Sequence, residues 1–377
     1  MSNYGQGAVG YGISLRGYTE AEHGRDIAYF IDGVPINEVS SIHTPNYVDL
    51  NILIPETVKS IEVIRGPFWI EAGDSNLGGS VNILTKRSEP FASATGSGGS
   101  FDTARGLITY SRIDTEIEPY LVGEGYRTDG YRENSYINRY DAFNKFNIPF
   151  ADGSVLSLRG QFYGTDFGAP GYINRDQVLA GVISPRTAVN MTDGGNKELQ
   201  NLVANYSNGP VDQELSALAY VVHNHFERYA DFGSGQQGQI EDRVQTGGRL
   251  RKVLTIDGPG LLPTQILIAG TWRNDSIDAL QGPSVARNII SQTLNVATNE
   301  TNLAGYGQVQ IKPLPILKIT AGTRYDRFLY DIDNRLDPTK SSNPSLEIWS
   351  PKFGAALTPW PWVSVFTNYA AQTLCWS

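Results

Sequence analysis

From residue 89 onward the chain is written in segments of about 10–14 residues in which apolar and polar side chains alternate. That period of two belongs to β-strands, whose successive side chains point to opposite faces. In residues 155–164, Leu156, Leu158 and Phe162 share a face opposite Ser157, Arg159 and Gln161. Residues 265–272 set Ile266, Ile268 and Trp272 against Gln265 and Thr271. Residues 317–326 set Leu317, Ile319, Ala321 and Tyr325 against Lys318, Thr320, Arg324 and Asp326. A sandwich core does not tolerate Arg and Lys on its inner face; a water-filled lumen does. The pattern predicts an antiparallel transmembrane β-barrel.

The connections point the same way. Short turns are expected at 149–153, 208–211, 313–315 and 358–361, and long polar loops near 127–137, 166–196, 228–240, 276–300 and 331–346. Short turns at one end and long loops at the other are the mark of an outer-membrane barrel, with the long loops extracellular. About 12 strands are expected between residues 89 and 377.

Composition excludes several other classes. No apolar run approaches the roughly 20 residues of a membrane helix, and mean hydropathy is -0.28. A barrel keeps that value low because only alternate side chains meet lipid. The net charge of -9, with basic residues scattered, argues against nucleic acid as a partner. The one cysteine, Cys375, excludes a disulfide framework. Twenty tyrosines and 40 glycines suit interfacial aromatics and tight turns.

Before residue 88 the texture differs. Residues 27–31 (IAYFI) and 61–64 (IEVI) read as buried strands bounded by Asp32-Gly33 and Gly66-Pro67, in a small irregular α/β domain. Four blocks stand in order: ISLRGY at 13–18, YFIDGVP at 29–35, IEVIRGP at 61–67 and LGGSVNILTK at 77–86. Their order and spacing resemble the plug domain of TonB-dependent outer-membrane receptors. One departure stands out. Where that family has a Tyr-Gly pair ahead of the double glycine, this chain reads Glu71-Ala72-Gly73-Asp74-Ser75-Asn76.

The expected organisation is a plug over 1–88 and the N-terminal portion of a barrel over 89–377, about half of the family's 22 strands. The expected location is the outer membrane, in contact with its lipid. The N-terminus has no basic stretch followed by an apolar core, and the expectation is a fragment or frameshift product.

The resemblance implies energy-coupled uptake of a scarce small molecule, a ferric siderophore or similar metal chelate first. Saccharide, cobalamin or another metal complex is the alternative; a passive porin or a soluble β-rich binding module is more remote. TonB and its inner-membrane motor are the implied partners, with no cofactor. The resemblance also implies plug arginines, here Arg16 and Arg65, that lock onto barrel glutamates. Substrate contacts are expected at two plug apices, from His23 in one and Asn37, Glu38, His43 and Tyr47 in the other. Tyr172, Asn174 and Arg175 are expected to enclose substrate from a loop.

Other signals carry less. Gly5, Gly7 and Gly10 match a dinucleotide fingerprint without its strand and helix. His223, His225 and Glu227 share a strand face as rim residues rather than metal ligands. Asp331, Asp333 and Asp337 lack the glycine and carboxylate of a calcium loop. No nucleophile elbow, P-loop or Cys–His pair is present, so no enzymatic chemistry is expected.

Overall fold

The computed structural model describes residues 9–10, 15, 26–73, 75–113, 115–209 and 214–371. It contains two sheets that share no strand. The smaller is built from β1 (Ile27–Ile31), β2 (Val34–Pro35), β3 (Val58–Arg65) and β4 (Gly79–Thr85), in the order β2-β1-β4-β3. β1 is parallel to β4, and all five of its residues are buried. An uninterrupted apolar run such as IAYFI fits a central strand covered on both faces. β3 departs from expectation: Ile61 and Val63 are 59% and 50% exposed. It is the edge strand, and no described element covers its outer face. Two short 3-10 helices, Pro55–Thr57 and Ile70–Ala72, are the helical content of this domain among the described residues.

The larger sheet runs through β5 (Ser93–Gly99), β6 (Thr103–Ser111), β7 (Glu118–Thr128), β8 (Ile137–Pro149), β9 (Val155–Gly168), β10 (Gly194–Asn208) and β11 (Leu215–Asp231). It continues through β12 (Gln236–Ile256), β13 (Thr264–Val285), the two-residue β14 (Asn288–Ile289), β15 (Leu294–Leu314), β16 (Leu317–Asn334), β17 (Ser345–Trp360) and β18 (Val363–Ala370). Each strand pairs antiparallel with its chain neighbour, except that β15 bonds to β13, with β14 folded back on the end of β13. The loop between β9 and β10 carries one short helix, α1 (Arg175–Leu179).

Alternation along these strands sorts side chains to lipid or to lumen. Leu158, Leu202, Leu250, Ile268 and Leu303 are exposed on the outer face, while Arg159, Val203, Arg243 and Tyr306 are buried on the inner one. Tyr140 stacks on Phe162, and Tyr325 packs against Trp349, on the outer face toward the long-loop end. Trp360 stacks on Trp362 at a short turn. Trp349 and Trp360 lie about 11 residues apart, or ~25 Å of height at ~3.3 Å per residue and ~45° tilt. That is the thickness of an outer-membrane apolar band between aromatic girdles.

Two expected loops are mostly strand. β11 runs to Asp231 and β12 begins at Gln236, and β13 runs to Val285 with β15 resuming at Leu294. Above the band the outer face turns polar, with His223, His225 and Glu227 on β11 and Asn274, Ser276 and Asp278 on β13, so the apolar–polar alternation is lost there although hydrogen bonding continues. β12 and β13 reach 21 and 22 residues, roughly twice what crossing the membrane requires. Their upper halves build the vestibule wall.

The smaller sheet sits inside the curve of the larger one, and the apolar contacts are discrete. Ile54 packs with Leu107, Tyr120, Val122 and Phe143. Ile70 packs with Val253, Leu267, Ala269 and Tyr306. Val34 packs with Val203, Leu218 and Tyr220, and Ile31, Ile52 and Ile83 with Tyr163 and Leu199. One to three aliphatic side chains thus insert at each of several separate points of the wall, leaving polar surface between them.

Candidate functional site

The polar surface between these anchors is where plug meets wall. Asp32 and Gly33 close the β1–β2 hairpin with φ of 51° and 82°, and Ile31 pairs with Val34 across them. A two-residue turn with positive φ at both positions suits the right-handed twist of its strands. The turn also aims the Asp32 carboxylate at the wall. It accepts from Thr85 N at 2.8 Å and Thr85 Oγ1 at 2.6 Å within the plug. From the wall, Arg159 Nη1 approaches to 3.0 Å and Lys145 Nζ to 3.5 Å. Burial pushes this carboxyl up, yet Arg159, Lys145 and the Thr85 bonds outweigh it and hold the group below its ordinary range.

The apex loop between Pro35 and Asp49 is anchored the same way. A bridge between Glu38 and Tyr47 closes its base. Glu38 Oε1 meets Lys197 Nζ at 3.3 Å and accepts from Asn224 Nδ2 at 3.0 Å. Lys197 also reaches Asp49 at 3.3 Å. Higher up, Arg243 Nη2 donates to Ser40 O, Ser40 Oγ bonds Glu300, Ile42 N donates to Glu241, and Gln239 donates to Ile42 O. Arg243 is itself held by Glu241 and Asp275 at 2.9 and 3.0 Å.

The third contact lies where the chain departs from the family pattern. Glu71 pairs with Arg249 at 2.9 Å and Arg251 at 3.2 Å. Arg324 donates to Glu71 O, and Lys352 to Pro67 O and Trp69 O. A fourth, Glu56 with Arg105 at 2.7 Å, is shared with Glu124 of the wall. Ser40 Oγ and Ile42 N donate to wall carboxylates, but among the described residues one polarity runs through the ion pairs: the plug supplies carboxylates and the wall supplies cations. Arg87, which pairs with Glu118, is the exception, in the segment joining the two sheets.

The expected site residues fall out differently. Arg16 and His23 lie outside the described residues. Arg65 ends β3 in an exposed position, with no ion pair among the described residues. Asn37 is buried and structural, accepting from Tyr29 N at 2.7 Å and donating to Ile27 O at 2.9 Å. Glu38 belongs to the Lys197 network just described. Tyr47 is 1% exposed, and its hydroxyl accepts from Gly10 N at 2.8 Å.

His43 is half-buried, edge-on to Tyr47 with centroids 5.0 Å apart, and within 2.9 Å of Arg228 Nη1. Arg228 in turn lies over the Phe232 ring at 5.3 Å, and Phe232 stacks on Tyr172 at 6.3 Å. Tyr172 is 65% and Phe232 59% exposed. Tyr172, Phe232, Arg228 and His43 therefore form an aromatic and cationic ladder from the loops down to the apex. Asn174 caps α1 by accepting from Asp176 N and Gln177 N, and Arg175 is exposed.

Asp32, Glu71, Arg159, Lys197 and the Arg243–Asp275 pair were not singled out as site residues from sequence. A carboxylate in a hairpin turn carries no spacing signal, and a lumen-facing arginine looks like any other polar strand residue. The loops are stitched rather than loose. Arg132 donates to Gly171 O, Pro170 O and Thr187 O, and Arg287 donates to Thr192 O at 2.9 Å and Asp193 O at 3.3 Å. His223, His225 and Glu227 sit on the outer strand face, where His225 meets Asp242 at 2.7 Å. Asp337 caps the 3-10 helix Pro338–Lys340.

Comparisons with known proteins agree with this architecture. The plug domain of TonB-dependent receptors matches residues 1–80, and the β-barrel of TonB-dependent receptor-like proteins matches residues 120–372. A hemin receptor of Yersinia enterocolitica is 24% identical over 97% of this chain and 51% of its own length. The chain thus spans about half of that relative. Among solved structures, the unliganded ferric citrate transporter FecA superposes with a TM-score of 0.80 at 15% identity, over 96% of this chain and 56% of FecA. The ferric yersiniabactin uptake receptor FyuA of Yersinia pestis gives 0.73 at 17%, over 97% and 59%. A plug seated within a barrel wall, matched along both parts, places this chain in the family of TonB-dependent receptors, which are outer-membrane β-barrel proteins and not enzymes.

Proposed function

We propose that the receptor to which this chain belongs takes up a scarce metal chelate across the outer membrane, a ferric siderophore first, with energy delivered through TonB from the inner membrane. The observation that carries the reading is the seating of the plug. It is held by discrete aliphatic anchors and by charge pairs across a polar interface, a contact that fixes position yet exchanges for water at modest cost. A domain meant to fill a lumen permanently would share one continuous apolar core with its wall.

Cargo chemistry follows from the ladder of Tyr172, Phe232, Arg228 and His43. Rings and a guanidinium side by side favour a ligand with aromatic faces and negative charge, as metal chelates with catecholate or carboxylate arms have. The ferric cargo for which FecA and FyuA are named is consistent with that chemistry. Heme is the second reading, favoured by the hemin receptor match.

The test is uptake of radiolabelled iron by cells whose sole receptor is the full-length protein. Each candidate chelate and hemin is supplied singly, with and without the proton-motive force. Accumulation that stops when the gradient is collapsed supports energy-coupled transport. Accumulation that continues contradicts it, and failure of every iron source removes the iron reading.

A further inference from the structure

Two of the plug carboxylates are each gripped by a pair of wall cations that would otherwise repel. Lys145 and Arg159 are directly opposed on β8 and β9, on the same inward face. Like charges so placed destabilise a sheet, and Asp32 lies against both. Arg249 and Arg251 stand two apart on β12, again on one face, with Glu71 against both. Lys197 inverts the arrangement, one wall cation between the plug carboxylates Glu38 and Asp49. The Arg159 and Lys197 side chains are 4% and 1% exposed while the plug is seated. Among the described residues, Arg251 is the one of the four cations in the first two pairs that also meets a wall carboxylate, Glu214 at 3.3 Å.

Each pair is therefore a carboxylate-binding site on the wall whose resident ligand belongs to the plug. A plug that shifts to open a path carries Asp32 and Glu71 away with it. The cations left behind face the new path in a confined, low-dielectric channel, where an anion lowers their energy. We infer that Lys145–Arg159 and Arg249–Arg251 are transit sites for anionic cargo, occupied in turn by the plug carboxylates at rest and by carboxylate or other oxyanion groups of the substrate during passage. This deepens the transport reading and rests on it: the specificity of the resting receptor lies in the vestibule, and that of the open path in these pairs.

The path's own charge preference is measurable without knowing the cargo. Full-length receptor in a planar bilayer is exposed to urea on one side until a current appears. The closed barrel, with its backbone bonds paired between strands, outlasts the plug. The reversal potential in a potassium chloride gradient then reports selectivity. The expected result is chloride permeability several-fold above that of potassium, on the order of 3-fold or more. It falls toward parity in a Lys145→Gln, Arg159→Gln, Arg249→Gln, Arg251→Gln variant. Equal permeability, cation preference, or a ratio unmoved by the four substitutions overturns the inference.

A second variant separates transit from mere docking. Glu71→Arg with Arg249→Glu and Arg251→Glu, plus Glu214→Gln to remove the wall carboxylate that Arg251 meets, keeps opposite charges in contact and so keeps the plug seated. It is expected to retain a closed resting state, read as no current before urea is added, while the chloride preference declines. Unchanged selectivity in this variant shows the pairs to be docking contacts only. These outcomes read the path, not the iron source, so they stand apart from the uptake assay above.

Discussion

Asp32→Asn isolates the charge of one plug–wall contact with almost no change of shape. The position has φ 51°, which asparagine adopts readily, and an amide oxygen still accepts from Thr85 N. What disappears is the counter-charge for Arg159 and Lys145, whose side chains are 4% and 11% exposed. Breaking a buried pair by removing one partner costs about 3–5 kcal/mol, most of it the stranded charge. Retained hydrogen bonds put this case near the lower end. With a urea dependence of about 1–3 kcal/mol per molar, a loss of about 3 kcal/mol lowers the midpoint for plug release by about 1–3 M. The assay is labelling of a Val34→Cys reporter in full-length receptor carrying Cys375→Ser. Val34 is buried against Val203, Leu218 and Tyr220 of the wall, so thiol reagent reaches it once the plug leaves. Adding Lys145→Gln and Arg159→Gln to Asp32→Asn is expected to restore part of the loss, because no charge is then stranded. A midpoint within about 0.3 M of wild type refutes the reasoning, since that is near 0.5 kcal/mol and typical of an exposed pair.

Further outcomes follow from the same geometry. Asp32 is held below its ordinary value of 3.8, so its contribution to docking is fully present above about pH 4 and lost as pH falls through the depressed folded value. The urea midpoint of wild type should drop over that acidic window, and the Asp32→Asn variant should lack this component. Arg132→Ala removes three bonds to loop carbonyls and should make residues 169–193 susceptible to limited proteolysis while barrel stability is unchanged; unchanged cleavage contradicts its role as a staple. Arg228→Ala breaks the ladder between His43 and Phe232 and should weaken chelate binding about 5–10-fold, a loss of ~1–1.4 kcal/mol, as read by equilibrium titration.

What was legible in the sequence is the part governed by periodicity and by turn chemistry. Alternation assigned Leu158 and Ile268 to lipid and Arg159 and Arg324 to the lumen, as the structure places them. Asp32-Gly33 read correctly as a tight turn. Strand length above the membrane did not read, because His223, His225 and Glu227 follow the apolar Val221 on the outer face and end the pattern while β11 continues. The site was less legible still. Asn37 and Tyr47 occupy an apex segment in sequence, but a bridge at Glu38 and Tyr47 folds that segment inward, so they pack instead of facing solvent. Glu71 stands out in the sequence only as a departure from a motif. Its role depends on Arg249 and Arg251, far along the chain, a register no local pattern encodes.

The central claim is that the plug sits within the wall in the described register and must move for cargo to pass. It is tested most directly by tethering the two. Ser40 Oγ and Glu300 Oε2 are 2.9 Å apart across the interface. Ser40→Cys with Glu300→Cys, in a Cys375→Ser background, is joined by a short bis-thiol linker in cells whose sole receptor is the full-length protein. The expected result is efficient cross-linking, unchanged surface binding of the iron source, and uptake abolished until a reducible linker is cleaved. Absence of cross-linking, or undiminished uptake by fully linked receptor, contradicts the account.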